Sequence, residues 1–188
     1  MKNEGLIPAL KEIDEKLEDL NWIVLSGLAV KIYANSDREI NDIDILVPDR
    51  NDFLEAAKRF GKKAKKRFLE KQGFTVIDYG FELVVQDINV EITGGVEEMK
   101  FMKFKDMTAG PTVDKGWLEH VQEKEFCGLK LRLQPLEDLI IQKIAMNRKK
   151  DKKDLESLSK LKGIDVDFLK RDAERWNCLK KVISALKL

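Results

Sequence analysis

The chain has 188 residues, of which 43% are hydrophobic, and its 35 lysines and arginines nearly cancel its 34 aspartates and glutamates to a formal net charge of +1. This length suits one domain, or a core with a small appendage, and the near-neutral charge excludes nucleic-acid binding through overall charge alone. The lone His120 and the widely separated Cys127 and Cys178 argue against a zinc site or a histidine-based catalytic triad.

The first predicted elements are a helix, a short strand, a tight turn and a second helix. Apolar residues recur at helical spacing over 6–20, and residues 22–25 (WIVL) are typical of a buried strand. Ser26-Gly27 forms the turn, and residues 28–34 continue as a helix. The backbone N–H groups at the start of such a helix can bind anions such as phosphate.

The next elements are a strand over 43–47, stopped by Pro48, and a long helix. Asp49 or Asn51 can cap this helix, which is predicted to run to about Gln72 and to end at Gly73. Five cations would then lie close together near its end: Lys62, Lys63, Lys65, Lys66 and Arg67. This run suits contact with a polyanion, but a solvated helix face accounts for it as well.

Strands are predicted over 74–79, 82–85 and 88–92, with short turns between them. In the last of these strands one face is apolar and the other polar, because side chains alternate; the polar face carries Asp87, Asn89 and Glu91. Residues 96–124 show no clear pattern, and residues 126–133 (FCGLKLRL) predict a strand or one arm of a hairpin.

From Pro135 the pattern is helical. A second helix is predicted to begin at Asp151, and a third, capped by Asp165, is predicted to run to Leu186. We therefore expect an α/β core over 1–133 and a helical region over 134–188 packed on it. Because no signal peptide and no apolar run near the ~18 residues of a membrane span is present, we expect a cytoplasmic protein with reduced thiols and no membrane partner. The sequence does not indicate an oligomeric state.

Asp42 and Asp44 lie on the same face at the start of the second strand. Two like charges there cost stability unless a cation lies between them, and oxygen ligands favour Mg²⁺ or Mn²⁺. A third acid from the strand ending at Ile92 would complete a two-metal site for phosphoryl transfer. Glu91 is the first choice for this acid and Asp87 the alternative; an ordinary solvent-exposed edge is the competing interpretation.

Lys143 falls within the apolar stripe of the helix that follows Pro135. Its ammonium group must either reach solvent or meet an anion, and a nucleotide phosphate is one such anion. A charged run follows, consisting of Arg148, Lys149, Lys150, Asp151, Lys152, Lys153 and Asp154. That run is either part of the same site or an exposed turn between helices.

The order of these features resembles the polymerase-β-type nucleotidyltransferase superfamily: Ser-Gly opening a helix, Asp-x-Asp, a later acid, and then Lys143-x4-Arg148-x2-Asp151-x2-Asp154. Residues 137–158 (EDLIIQKIAMNRKKDKKDLESL) are similar to its minimal, AbiEii-like branch. Two features depart from the family pattern. The Ser-Gly order replaces the usual Gly-Gly or Gly-Ser, and Glu91 replaces the usual aspartate.

The resemblance implies an α/β fold built on a small mixed sheet flanked by helices, dependence on Mg²⁺ (or Mn²⁺), and a nucleoside triphosphate such as ATP as donor. It implies metal binding by Asp42, Asp44 and Glu91, which with Lys143 would form the catalytic group. It assigns nucleotide binding to Ser26, Gly27, Lys143, Arg148 and Asp154.

On this interpretation the protein moves a nucleoside monophosphate to an acceptor hydroxyl on tRNA or other RNA, on a protein, or on a small molecule such as an aminoglycoside. A second interpretation is a catalytically weak or inactive relative that binds nucleotide or RNA, or acts in a toxin–antitoxin pair. A third is an interaction domain whose acidic strand is incidental.

Overall fold

The computed structural model describes residues 5–71, 74–94, 101–104, 107–109 and 113–186. Eight helices lie in these ranges: α1 Leu6–Leu17, α2 Ser26–Ala34, α3 Arg50–Arg59, α4 Lys115–Glu119, α5 Leu136–Met146, α6 Lys149–Leu158, α7 Val166–Arg175 and α8 Leu179–Leu186. Nine strands lie in the same ranges: β1 Ile23–Val24, β2 Asp42–Val47, β3 Lys65–Lys71, β4 Phe74–Val85, β5 Ile88–Gly94, β6 Phe101–Phe104, β7 Met107–Ala109, β8 Gln122–Phe126 and β9 Leu129–Leu133.

The strands form one mixed sheet in the order β7-β6-β4-β5-β2-β1-β9-β8, with β3 paired to β4 outside this path. Strand β2 runs parallel to β5, and β1 runs parallel to β9. The pairs β1–β2 and β4–β5 are antiparallel. The predicted fold class, a mixed sheet combined with helices, is confirmed.

Strand β2 is buried on both faces at its C-terminal end. Ile45 and Val47 lie in the main core, whereas Leu46, on the other face, packs with Trp117 and Phe168 in a second cluster. At the opposite end of the strand Asp42 is exposed. Solvent therefore reaches the face that carries the acids at the N-terminal end of β2.

The helix predicted to run to about Gln72 is wrong in length. The predicted cap is present, since the Asp49 carboxylate accepts hydrogen bonds from the N–H groups of the first turn of α3. The helix ends at Arg59 because Gly61 follows with a φ of 61°, and the chain returns as β3. The exposed lysines of the basic run therefore share no helix face; the side chain of Arg67, and residues Gln72 and Gly73, lie outside the described part of the structure.

Other boundaries differ from prediction as well. The strands expected over 74–79 and 82–85 form the single strand β4. The last predicted helix is two helices, because Asn177 adopts a φ of 50° between α7 and α8.

Cys127 is exposed and Cys178 buried, and neither forms a disulfide. Among the described helices, none combines the length and apolar character needed to cross a bilayer.

Candidate active site

Ser26 and Gly27, predicted to form a turn before the helix, are the first two residues of α2 and follow β1 beside the strand that carries Asp44. The Leu25 N–H donates to the Asp44 carbonyl oxygen over 2.9 Å, which fixes the turn against β2. Ser26 has a φ of 53°, a left-handed conformation that costs a residue with a side chain on the order of 1–3 kcal/mol. The surrounding contacts must therefore hold this turn in place.

Gln134 supplies such contacts. Its Oε1 accepts a hydrogen bond from the Ser26 N–H over 3.0 Å, and its Nε2 donates to the Asp138 Oδ2 over 2.6 Å. Its carbonyl oxygen accepts from the Tyr33 hydroxyl over 2.8 Å. Because the Gln134 side chain is fully buried and bonded at both ends of its amide, the Ser26 N–H is committed to the protein itself. The next N–H groups of α2 receive no side-chain cap among the described residues.

The predicted acids lie on two neighbouring strands, Asp42 and Asp44 on β2 and Glu91 on β5, and Glu82 of β4 extends this acid row to a third strand. In the register of the sheet Asp44 is opposite Glu91, and Asp42 is opposite Asn89. Glu91 is in turn opposite Glu82 of β4. Asp42 is exposed, whereas Asp44 and Glu91 are half-buried. Directly opposed residues share a face of a sheet, so the structure brings the three predicted acids together and adds a fourth.

The alternative third acid lies elsewhere. Asp87 occupies the turn between β4 and β5 with a φ of 64°. It precedes Glu91 by four residues, which is about 13 Å along a strand. The geometry therefore favours Glu91 as the acid beside Asp44.

The electrostatics of this row favour a cation. Burial, followed by the carboxylates of Asp42 and Glu91, raises the pKa of Asp44 to about 7, against a hydrogen bond from Ser26 and the charge of Lys143. A divalent ion would remove this repulsion, and carboxylate oxygens are the ligands that Mg²⁺ prefers. The donor set therefore fits such a metal. Among the described residues, no three acidic, histidine or cysteine side chains are close enough together in this structure to form a metal site.

Helices α5 and α6 carry a cluster of buried charges. Lys143 is 3% exposed, and its Nζ lies 2.9 Å from the Asp154 Oδ2 and 3.5 Å from the Asp151 Oδ1. Arg148 binds Asp151 through its Nε and Nη2, at 2.7 Å and 3.0 Å. Arg38, from the loop before β2, pairs with Asp154. The lysine of the apolar stripe therefore meets carboxylates rather than solvent.

The cation cluster and the acid row lie within electrostatic reach of each other. Burial, and then the charge of Arg148, lowers the pKa of Lys150, while the carboxylate of Asp42 raises it. Lys143 in turn acts on Asp44. Carboxylates that can hold a cation thus stand beside cations that can hold an anion. This pairing suits a metal-bound polyphosphate.

Three residues of this site were not predicted from the sequence. Glu82 could have been found, because it alternates with Phe81 and Leu83 in a strand pattern and so belongs to the polar face. Arg38 and Gln134 gave no such signal, since each lies in a connecting segment and reaches its partner only through the fold.

Comparison with known proteins identifies related sequences and folds. The family model described as "Nucleotidyltransferase of unknown function" (DUF6036) matches residues 4–185. The structure of TM1012 from Thermotoga maritima is similar with a TM-score of 0.58 and 23% identity, over 83% of this chain and 93% of that one. A comparison with curated proteins finds no match.

Two other solved structures share the fold at lower identity. The lincosamide antibiotic adenylyltransferase LnuA, bound to lincomycin, gives a TM-score of 0.51 and 13% identity over 85% of this chain and 98% of that one. An antigenic nucleotidyltransferase-like protein from Paracoccidioides brasiliensis gives 0.52 and 15% over 100% and 94%. These similarities describe the fold alone.

Proposed function

The chain belongs to this family of nucleotidyltransferases, and we propose that it transfers a nucleoside monophosphate from a nucleoside triphosphate, such as ATP, to an acceptor hydroxyl. One observation supports the proposal above all others. The sheet register aligns Asp44 with Glu91, with Asp42 two residues away on the same face, beside the buried ion network around Lys143.

The acid row would perform the chemistry. Asp42, Asp44 and Glu91 would hold Mg²⁺ or Mn²⁺, which when bound neutralises phosphate oxygens and acidifies a hydroxyl. Glu91 accepts the proton of the acceptor hydroxyl as that oxygen bonds to the α-phosphorus. The bond from the α-phosphorus to the oxygen that bridges to the β-phosphate breaks, and pyrophosphate leaves with the bonding electrons.

The triphosphate would lie between the first turn of α2 and the cations of α5 and α6. We assign a phosphate contact to the Gly27 N–H, because the Ser26 N–H already donates to Gln134; the Ser26 side chain instead hydrogen-bonds Asp44. Lys143 supplies positive charge at the phosphates, where developing negative charge is stabilised in the transition state.

Arg148 and Asp154, from the charged run over residues 148–154, have different roles. Arg148 would add positive charge at the rim of the site, since its side chain remains partly exposed beside Asp151. Asp154 would position cations rather than touch the nucleotide, because a buried carboxylate repels phosphate while it pairs with Lys143 and Arg38.

The acceptor would approach from the exposed end of the row at Asp42, because Leu46, Trp117 and Phe168 close the other end. Three acceptor classes remain in the proposal: tRNA or other RNA, a protein side chain, and a small molecule. LnuA is an adenylyltransferase for lincosamide antibiotics, so lincosamides join aminoglycosides in the panel of small molecules to be tested.

The first experiment measures binding. Each nucleoside triphosphate, as a non-hydrolysable α,β analogue, is titrated calorimetrically into the protein with Mg²⁺ and then with EDTA. The Asp42→Asn/Asp44→Asn double variant should lose the Mg²⁺-dependent binding while remaining folded. An Asp37→Asn/Asp167→Asn double variant removes the same charge from exposed positions and should bind like the parent protein.

The second experiment measures transfer of label from α-³²P-labelled nucleotide to RNA, protein or the small-molecule panel. Transfer that persists in the Asp42→Asn/Asp44→Asn variant would refute the assignment of the site. Metal-dependent binding without transfer to any acceptor would instead favour the inactive, nucleotide-binding interpretation, for which the glutamate at position 91 is the relevant departure from the family.

A further inference from the structure

We propose that Arg38 is a further binding residue of this site and that its guanidinium group contacts the triphosphate. This inference rests on the proposed nucleotidyl transfer, because it places the triphosphate of that reaction against the first turn of α2. On this inference, the ion pair with Asp154 is the position that the Arg38 side chain occupies before the ligand binds.

Arg38 is held directly against the Ser26-Gly27 turn. A Cβ atom on Gly27 would lie 2.9 Å from the Arg38 Nη2 and 3.3 Å from its Nε, so the missing side chain at Gly27 gives the guanidinium its place. The loop that carries Arg38 is tied to α2 as well. The Lys31 Nζ donates to the carbonyl oxygens of Ser36 and Arg38, each over 3.0 Å.

Among the three cations paired with α6 carboxylates, Arg38 has hydrogen-bonding capacity to spare. Arg148 uses two nitrogens on Asp151, and Lys143 is buried between two carboxylates. Arg38 uses its Nη1 on Asp154, whereas its buried Nε–H has no partner among the residues that the structure describes. A buried donor without a partner is uncommon in a folded protein, and a bound anion is one group that would satisfy it.

The charge of the surroundings points to a polyanion. Arg38, Lys143 and Arg148 pair with the two carboxylates Asp151 and Asp154, and the charge of Lys150 lies within electrostatic reach of all three cations. A ligand with several negative charges would relieve the repulsion among them. The planar fork of arginine matches two phosphate oxygens at once, so Arg38 is suited to this contact in geometry as well as in charge.

The test measures binding of inorganic tripolyphosphate in EDTA. Tripolyphosphate has no base and EDTA removes the metal, so the measurement reports the phosphate contact alone. Arg38→Met should weaken this binding about 10- to 100-fold, the range expected for one charge-assisted contact, and should raise the KM for the nucleoside triphosphate more than it lowers kcat. Arg38→Lys, which keeps the charge without the fork, should fall between the two. Arg132→Met on the β8–β9 hairpin, where Arg132 is opposite Glu123, is the matched control and should bind like the parent protein.

Three results would overturn the inference: Arg38→Met binding tripolyphosphate as tightly as the parent protein, normal nucleotide transfer by Arg38→Met, or a parent protein that does not bind tripolyphosphate. If Arg38→Met does not fold, unchanged binding by Arg38→Lys overturns it instead. The Asp42→Asn/Asp44→Asn variant should still bind tripolyphosphate in EDTA. If the protein binds tripolyphosphate through Arg38 but transfers no nucleotide, the proposed function is refuted and the anion contact stands. If Arg38→Met transfers nucleotide normally, the anion contact is refuted and the proposed function stands.

Discussion

Two groups of carboxylates in this protein have pKa values above those of ordinary acids, but the two groups lie in different surroundings. In the acid row, burial and the neighbouring carboxylates raise the pKa of Asp44. Between α5 and α7, Asp138 of α5 and Asp172 of α7 lie together, and burial raises the pKa of both. The row ends at the exposed Asp42, whereas Asp138 and Asp172 are 1% and 0% exposed.

The partners of the inner pair explain the difference. The Asp138 Oδ2 accepts hydrogen bonds from the amides of Gln134 and Gln142, at 2.6 Å and 3.2 Å. The Asp172 Oδ1 accepts from the Arg175 Nη1 at 3.1 Å. This pair is closed to solvent and suited to sharing a proton, whereas the acid row is open to solvent at Asp42 and Glu82 and suited to a metal ion. A shifted pKa therefore marks a candidate active site only where a ligand can reach it.

The largest expected effect comes from the lysine that compensates the charges beside the acid row. Lys143→Met should lower the free energy of unfolding by about 3 kcal/mol or more, because Asp151 and Asp154 would stay buried after losing a shared partner. Urea denaturation measures this change. Lys58→Met removes an exposed lysine from α3 and should stay within about 0.5 kcal/mol of the parent protein. A loss below about 1 kcal/mol for Lys143→Met would mean that the arginines compensate both acids on their own.

The second effect distinguishes Glu91 of the acid row from Asp87 of the β4–β5 turn as the third acid. Glu91→Gln should lower kcat at least about 10²-fold, the contribution of a general base, which corresponds to about 2.7 kcal/mol of activation free energy. Nucleotide affinity should change much less. Asp87→Asn, which alters the β4–β5 turn, should leave kcat within about twofold of the parent value. Steady-state kinetics with both variants decides the assignment, and the opposite result would make Asp87 the third acid.

The parts of this comparison that the sequence predicted depend on local patterns. Alternation along a strand places Asp42 and Asp44 on one face, and the caps Asp49 and Asp165 precede helices that the structure contains. The helix that overran to about residue 72 failed for a local reason too. Lysine and arginine are good helix formers, so the basic run concealed the helix end that Gly61 imposes.

The parts that the sequence did not predict depend on contacts between distant segments. Ser26 and Gln134 are 108 positions apart, and Arg38 and Asp154 are 116 apart. No periodicity links such pairs, because only the packing of α5 and α6 against α2 brings them together. The inner pair, Asp138 and Asp172, was missed for the same reason, since each lies on a helix whose own pattern reveals nothing of the other.

The third effect is the pH dependence contributed by Asp44, measured in EDTA. Its folded-state pKa of about 7 lies above the usual value of an aspartate, so its contribution to stability is complete below that usual value and is lost as the pH rises through about 7. Between pH 5 and 8 the parent protein should lose on the order of 1–2 kcal/mol relative to Asp44→Asn, after allowance for solvent screening. Asp37→Asn, at an exposed position, should follow the parent protein. Added Mg²⁺ should restore stability at pH 8 in the parent protein but not in Asp44→Asn.

The smallest effect tests the inner pair. Asp172→Asn replaces a carboxyl that keeps its proton in the folded protein with a neutral group of the same shape, so at about pH 4, near the usual pKa of an aspartate, the free energy of unfolding should change by less than about 1 kcal/mol. As the pH rises from about 4 to about 8, Asp172 is ionised in the unfolded parent chain but stays protonated beside Asp138 in the folded protein, and the parent protein loses stability that the variant keeps. Thermal unfolding from pH 4 to pH 8 should therefore show a growing advantage for Asp172→Asn, which Mg²⁺ does not alter, whereas Asp167→Asn on the exposed face of α7 gives no such trend. An advantage that Mg²⁺ abolishes would mean that the inner pair and the acid row are coupled, and the distinction between a closed proton site and an open metal site would no longer hold.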